Sequence, residues 1–118
     1  MPTSQQHKRQ FESNMAAISA VQKLDTPPND WLITMAFYAA VHLIEGIIVQ
    51  TVPKGTGDHK IRKEYINRIA KLKPIGPFYS TLENYSHKSR YQCKTFKKEE
   101  VDKILGYLKA IQDKLQSA

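Results

Sequence analysis

Residues 31 to 49 constrain this chain more than any other stretch. Placed on a helix at about 100° per residue, they put Thr34, Tyr38, His42 and Glu45 in one narrow stripe, with Trp31, Met35 and Val49 on the same side. Every other direction around that helix is apolar. A helix apolar on nearly all sides must be packed on most of them, so the fold needs several further elements wrapped around this one. The polar residues within the span, His42 and Glu45 above all, argue against a membrane-crossing helix and for a buried central one. Buried polar groups need partners, so the stripe faces an internal hydrogen-bond network, a pocket or a subunit interface.

The rest of the sequence supplies those elements as helices, with no competing strand pattern. A first helix is expected from about Ser4 to Leu24, with Phe11, Met15, Ile18 and Val21 at helical spacing. It stops before Asp25-Thr26-Pro27-Pro28, and Asn29 or Asp30 is expected to cap the central helix, which runs from about Trp31 to Gln50. Pro53, Gly55 and Gly57 form a loop. Asp58 then caps a third helix with Ile61, Tyr65, Ile69 and Leu72 on one face. Pro74-Ile75-Gly76-Pro77 ends it, a fourth runs from Phe78 to about Arg90 with Phe78, Leu82 and Tyr85 together, and a fifth starts near Lys97. That last helix buries Val101, Ile104, Leu105, Leu108, Ile111 and Leu115. The 118 residues have no internal repeat and no dividing linker. The expected architecture is one all-α domain over 1–118, an antiparallel bundle of four to five helices.

Cysteine and charge narrow the class. The single Cys93 cannot form an internal disulfide, no Cys/His spacing suits zinc, and the polar N-terminus lacks a signal-peptide core; a cytoplasmic protein without cofactor or metal is expected. The formal net charge is +7, but it is not spread evenly. Residues 54 to 98 hold twelve Lys or Arg against Asp58, Glu64 and Glu83, a local +9, while the remainder carries six basic and eight acidic residues, or −2. A confined basic segment favours polyanions, either nucleic acid, nucleotide phosphates or an acidic protein partner; its plainer reading is a solvated face that aids solubility.

Candidate chemistry lies in three places. His42 and Glu45, three apart on one helix face, could form an orienting pair for acid–base work, or belong to a self-satisfied core network. His59, Lys60 and Arg62, at the start of the third helix and behind Lys54, Gly55 and Gly57, could cradle a phosphate at a positive helix terminus. The segment Tyr85 to Lys94 interleaves Tyr85, Lys88, Arg90, Tyr91 and Lys94, so bases could stack on tyrosine while the cations hold phosphates; in the plainer reading Tyr85 and Tyr91 pack the bundle. Metal-independent RNA cleavage would draw on His42 and His59 with Arg62 or Arg90. Cys93 has no neighbouring base in sequence and reads as an ordinary thiol.

The order of these elements resembles one known family. Trp31 followed by Phe37-Tyr38-Ala39-Ala40-Val41-His42-Leu43, then His59-Lys60-Ile61-Arg62, then Ser89-Arg90-Tyr91, looks like a subgroup of the HEPN (higher eukaryote and prokaryote nucleotide-binding) domains. The motifs span residues 30 to 91, and the five-helix layout extends the resemblance over nearly the whole chain. It implies a HEPN-like bundle that binds RNA or nucleotide phosphates, as a homodimer, with Tyr38, Lys60, Arg62, Arg90 and Tyr91 as binding residues. It also implies a defence or toxin–antitoxin setting, with a nucleotidyltransferase or antitoxin as a protein partner. Many HEPN proteins are ribonucleases marked by Arg, four to six residues, then His. No histidine stands at that distance after Arg9, Arg62, Arg68 or Arg90. Ribonuclease activity with His42, Glu45 and His59 as catalytic residues is therefore an alternative, as is a noncatalytic interaction or regulatory subunit.

Overall fold

The computed structural model describes residues 2–116, and among them the regular structure is entirely helical. Five α-helices follow one another: α1 Ser4–Gln22, α2 Asn29–Ile48, α3 His59–Arg68, α4 Gly76–Tyr91 and α5 Lys98–Gln116, with one 3-10 turn at Lys73–Ile75 before α4. The all-α bundle expected from the sequence is what the chain forms. α2 is its axis: each of the other four α-helices packs against it. Leu32, Ile33, Ala36, Phe37, Ala39, Ala40, Val41, Leu43, Ile44 and Ile48 are buried around α2, as a helix apolar on most sides requires. α2 is also the one helix among the described residues long and apolar enough to cross a membrane, but 67% of that window is buried inside the bundle.

Local chemistry explains most boundaries. α1 opens with a capping box: Thr3 Oγ1 accepts from the Gln6 amide, and Gln6 Oε1 accepts from the Thr3 amide. It ends at Gln22, two residues before the expected Leu24. Neither Asn29 nor Asp30 caps α2. Pro28 occupies the cap, and Asn29 is already helical, its side-chain amide donating to the Phe96 carbonyl at 2.9 Å. Asp58 caps α3 as expected, accepting from the Ile61 amide at 2.8 Å.

Two faces differ from the sequence reading. α3 stops at Arg68 because Ile69 turns extended, so Ile69 and Leu72 do not continue a helical stripe. Ile66 is its buried residue, whereas Ile61 is exposed and Leu72 fills the core from the turn after the helix. In α4 the fully buried face is Tyr79, Leu82 and Ser86, with Phe78 and Tyr85 half-buried beside it. α5 buries Val101, Ile104, Leu108, Ile111 and Leu115 as expected, and Leu105 is half-buried.

Candidate functional site

The four polar residues of the α2 stripe meet groups delivered by three other parts of the chain: α4, α1 and the loop before α3. Thr34 Oγ1 lies 2.9 Å from Ser89 Oγ of α4. Tyr38 receives Arg90 Nη1 of α4 at 3.4 Å. His42 Nδ1 lies 2.9 Å from His7 Nδ1 of α1. Glu45 Oε1 accepts from the Thr56 hydroxyl at 2.7 Å and the Thr56 amide at 3.2 Å. The stripe is thus divided among four separate contacts, and no hydrogen bond or ion pair joins His42 to Glu45. The orienting pair proposed from their spacing is not formed.

Glu45 anchors a polar chain that runs through the bundle. Its second oxygen, Oε2, is 4.0 Å from Arg62 Nε; their side chains are only 8% and 11% exposed, and neither atom has a hydrogen-bond partner. Arg62 Nη1 donates to Tyr79 Oη at 3.2 Å, and Tyr79 Oη lies 2.7 Å from His59 Nδ1. The arrangement that satisfies all three has Tyr79 accepting from the guanidinium and donating its own proton to His59 Nδ1. That leaves the His59 proton on Nε2, which faces Glu83 at 3.8 Å. Burial pushes the Tyr79 hydroxyl above its ordinary value of 10.0, opposed by the Arg62 guanidinium.

The phosphate cradle expected before α3 is shaped in part by the chain's own contacts. Gly55 and Gly57 take positive φ of 70° and 78°, winding the loop so that Thr56 turns inward to Glu45. Asp58 occupies the helix terminus. Two of the amides there, those of Thr56 and Ile61, are thus already taken by the protein's own carboxylates. Arg62 is largely enclosed, its side chain 11% exposed, and faces Glu45 and Tyr79 rather than open solvent. Lys60 is exposed and remains free to meet one.

His7 and His42 meet nitrogen to nitrogen, their ring centroids 5.2 Å apart. A hydrogen bond of this kind holds one proton between two Nδ1 atoms, so one imidazole presents a bare Nε2 and the other an Nε2–H. The only buried side-chain polar atoms without a partner among the described residues are Glu45 Oε2 and Arg62 Nε, so both Nε2 atoms reach solvent. They do so in a groove lined by Pro2, Gln6 and Gln10. Burial lowers both histidines below 6.5, with Arg62 assisting and Glu45 opposing, and His7 further lowers His42. Both are neutral at pH 7.

Arg90 is held differently. Its Nε donates to the Ser86 carbonyl and hydroxyl at 3.3 and 3.1 Å, and its guanidinium lies 5.0 Å from the Tyr91 ring centroid and 5.8 Å from those of Phe37 and Tyr38. Tyr38 and Tyr91 are 42% and 65% exposed. Of the residues expected to act together, the structure brings Tyr38, Arg90 and Tyr91 into one surface cluster. It places Glu45, Arg62 and His59 in the internal chain, and His42 in a third location with His7. His7 and Tyr79 were not foreseen as members. Tyr79 carried a usable signal, since it is spaced with Leu82 and Ser86 at three and seven residues. His7 carried none, because its partner is 35 residues away.

No group of three or more His, Cys, Asp or Glu side chains among the described residues is placed to hold a metal ion. Comparison with protein-family models, curated proteins and solved structures finds no match to this chain.

Proposed function

We propose that this chain is a HEPN-like cytoplasmic module that binds RNA or nucleotide phosphates through its basic surface, acting as a homodimer in a defence or toxin–antitoxin setting. The observation that supports the binding reading is the charge pairing. Of the twelve Lys and Arg between residues 54 and 98, Arg62, Lys94 and Lys98 face a carboxylate within 4.0 Å among the described residues, and the other nine face none there. Meanwhile Asp58 is spent on a helix cap and Glu83 faces His59. A segment with three acids against twelve cations, most of those cations without a carboxylate partner, is suited to a polyanion.

Affinity for end-labelled RNA, measured against salt, tests this. The logarithm of the association constant should fall linearly with the logarithm of salt, by about 0.7 per neutralised phosphate for a single strand. Arg90→Gln and Lys60→Gln should each reduce the slope. An affinity indifferent to salt would sink the proposal.

The His7–His42 contact favours one second reading, a divergent metal-independent ribonuclease. A neutral pair that offers one bare ring nitrogen and one N–H has the groups needed to take a proton from a 2′-hydroxyl and to give one to a leaving oxygen. Incubation with labelled RNA without metal, beside His42→Ala, decides it: cleavage by the native protein alone supports the reading, and intact RNA in both removes it.

A further inference from the structure

The exposed aromatic rings of this molecule are not scattered. Trp31 is 62% exposed, Tyr91 65% and Tyr38 42%. Trp31, Met35 and Tyr38 lie at i, i+4 and i+7 of α2 and so share one face, Trp31 and Tyr38 about 10 Å apart along the axis. The last turn of α4 is pinned beside the first turn of α2: Ser89 Oγ donates to the Asp30 carbonyl at 2.7 Å and meets Thr34 Oγ1 at 2.9 Å. Trp31 follows Asp30 directly, and Arg90 and Tyr91 follow Ser89. Three open rings and one guanidinium are thereby set on a single strip along two fixed helices.

Burying these rings in the bundle would remove apolar surface from water, yet they remain outside it. The sequence also places the strip against the most basic part of the chain. On the other side of α4, Lys88, Lys94 and Lys103 surround the Tyr85 ring at 5.4 to 5.9 Å. Arg90 itself has no carboxylate partner among the described residues, and its position is fixed by Ser86 and by the rings. Flat π faces beside cations, among them an Arg90 held in place without a carboxylate partner, are what an unpaired nucleic-acid strand requires: its bases need stacking surfaces and its phosphates need charge. A duplex keeps its bases stacked on one another and would use only the charge.

Resting on the polyanion-binding reading above, we propose that the ligand is single-stranded RNA, whose bases stack on Trp31, Tyr38 and Tyr91 while Arg90, Lys88 and Lys103 hold its phosphates.

Trp31 is the only tryptophan, which makes the strip its own reporter. The purified full chain is titrated at low salt with short oligo(A) RNA, with a duplex of the same length, and with heparin, following tryptophan fluorescence and affinity. Oligo(A) should quench Trp31 and bind more tightly than the duplex, while heparin binds without quenching. Tyr91→Ala should weaken oligo(A) by between about fivefold and about a hundredfold and leave heparin unchanged; Tyr91→Phe, which keeps the ring, should retain the RNA affinity. Tyr91 is exposed, so neither change threatens the fold. If all three polyanions bind alike without quenching and Tyr91→Ala has no effect, the stacking strip is overturned and the polyanion reading stands. If none binds at low salt, both fall. Self-association abolished by Trp31→Ala, with no quenching by RNA, assigns the strip to a second copy and overturns it as well.

Discussion

The pair formed by Glu45 and Arg62 shows how one residue can matter for structure while resembling a site. Arg62 is an obvious phosphate ligand when it is only a letter in a basic segment. In the fold its guanidinium lies opposite a carboxylate 8% exposed and donates to Tyr79, so its role is internal. Deleting one partner of such a pair strands the other charge, at a cost of about 3–5 kcal/mol. Arg62→Ala should therefore lower the urea-unfolding free energy by about that amount, and Tyr79→Phe, which removes one hydroxyl, by about 1 kcal/mol. A change within 0.5 kcal/mol for Arg62→Ala would mean the pair is not held as described. The histidines argue in the other direction. A histidine held below 6.5 in the folded state binds its proton more readily when unfolded, so stability is complete above pH 6.5 and falls as pH drops through 6.5 toward the folded values. Protonating both rings also destroys the N–H···N bond between them. Urea midpoints across this range should fall with acidification in the native chain and fall less in His7→Gln. Equal curves would remove the dyad from the acid response.

At the scale of the helices, most of what was legible came from periodicity and most of what was missed came from ends and junctions. α2 and α5 were readable because their apolar residues repeat over many turns, so no single boundary decides the pattern. α3 was not, because Ile69 and Leu72 continue the spacing in the sequence while the backbone leaves the helix at Ile69. In α4 the buried Ser86 concealed the true face, since a serine in the core is invisible to a pattern of apolar residues. The contents of the candidate site were hidden for a related reason: His7 and Thr56 reach α2 through the topology, from positions that no local spacing connects. One junction yields a direct test. α4 ends at Tyr91 with Gln92 as its cap, and the next residue, Cys93, is exposed and takes φ of 51°, in the left-handed region where helices usually place glycine. A side chain there costs about 1–2 kcal/mol, partly offset by the freedom glycine has when unfolded. Cys93→Gly should raise the unfolding free energy by about 0.5–1 kcal/mol. A loss of stability would show that the thiol makes a contact worth more than the backbone relief.

For the whole molecule, the same charges that suit a polyanion act against the bundle that carries them. Nine cations without a carboxylate partner among the described residues fall within one 45-residue segment, on a chain of net charge +7. Folding gathers them onto a compact surface, where they repel one another more than in the open chain. Added salt screens repulsion between exposed charges farther apart than about 10 Å at 0.1 M, whereas the Glu45–Arg62 pair is buried and little screened. Salt should therefore stabilise the fold, raising the urea midpoint between low and moderate sodium chloride, over the same range in which it weakens RNA binding. The opposite signs make the two measurements mutually informative. Bound RNA neutralises those cations too, so at low salt it should raise the midpoint and leave less for sodium chloride to add. If salt instead lowers the midpoint of the free protein, attraction within the surface outweighs repulsion, and the unpaired cations are not the dominant feature of its electrostatics.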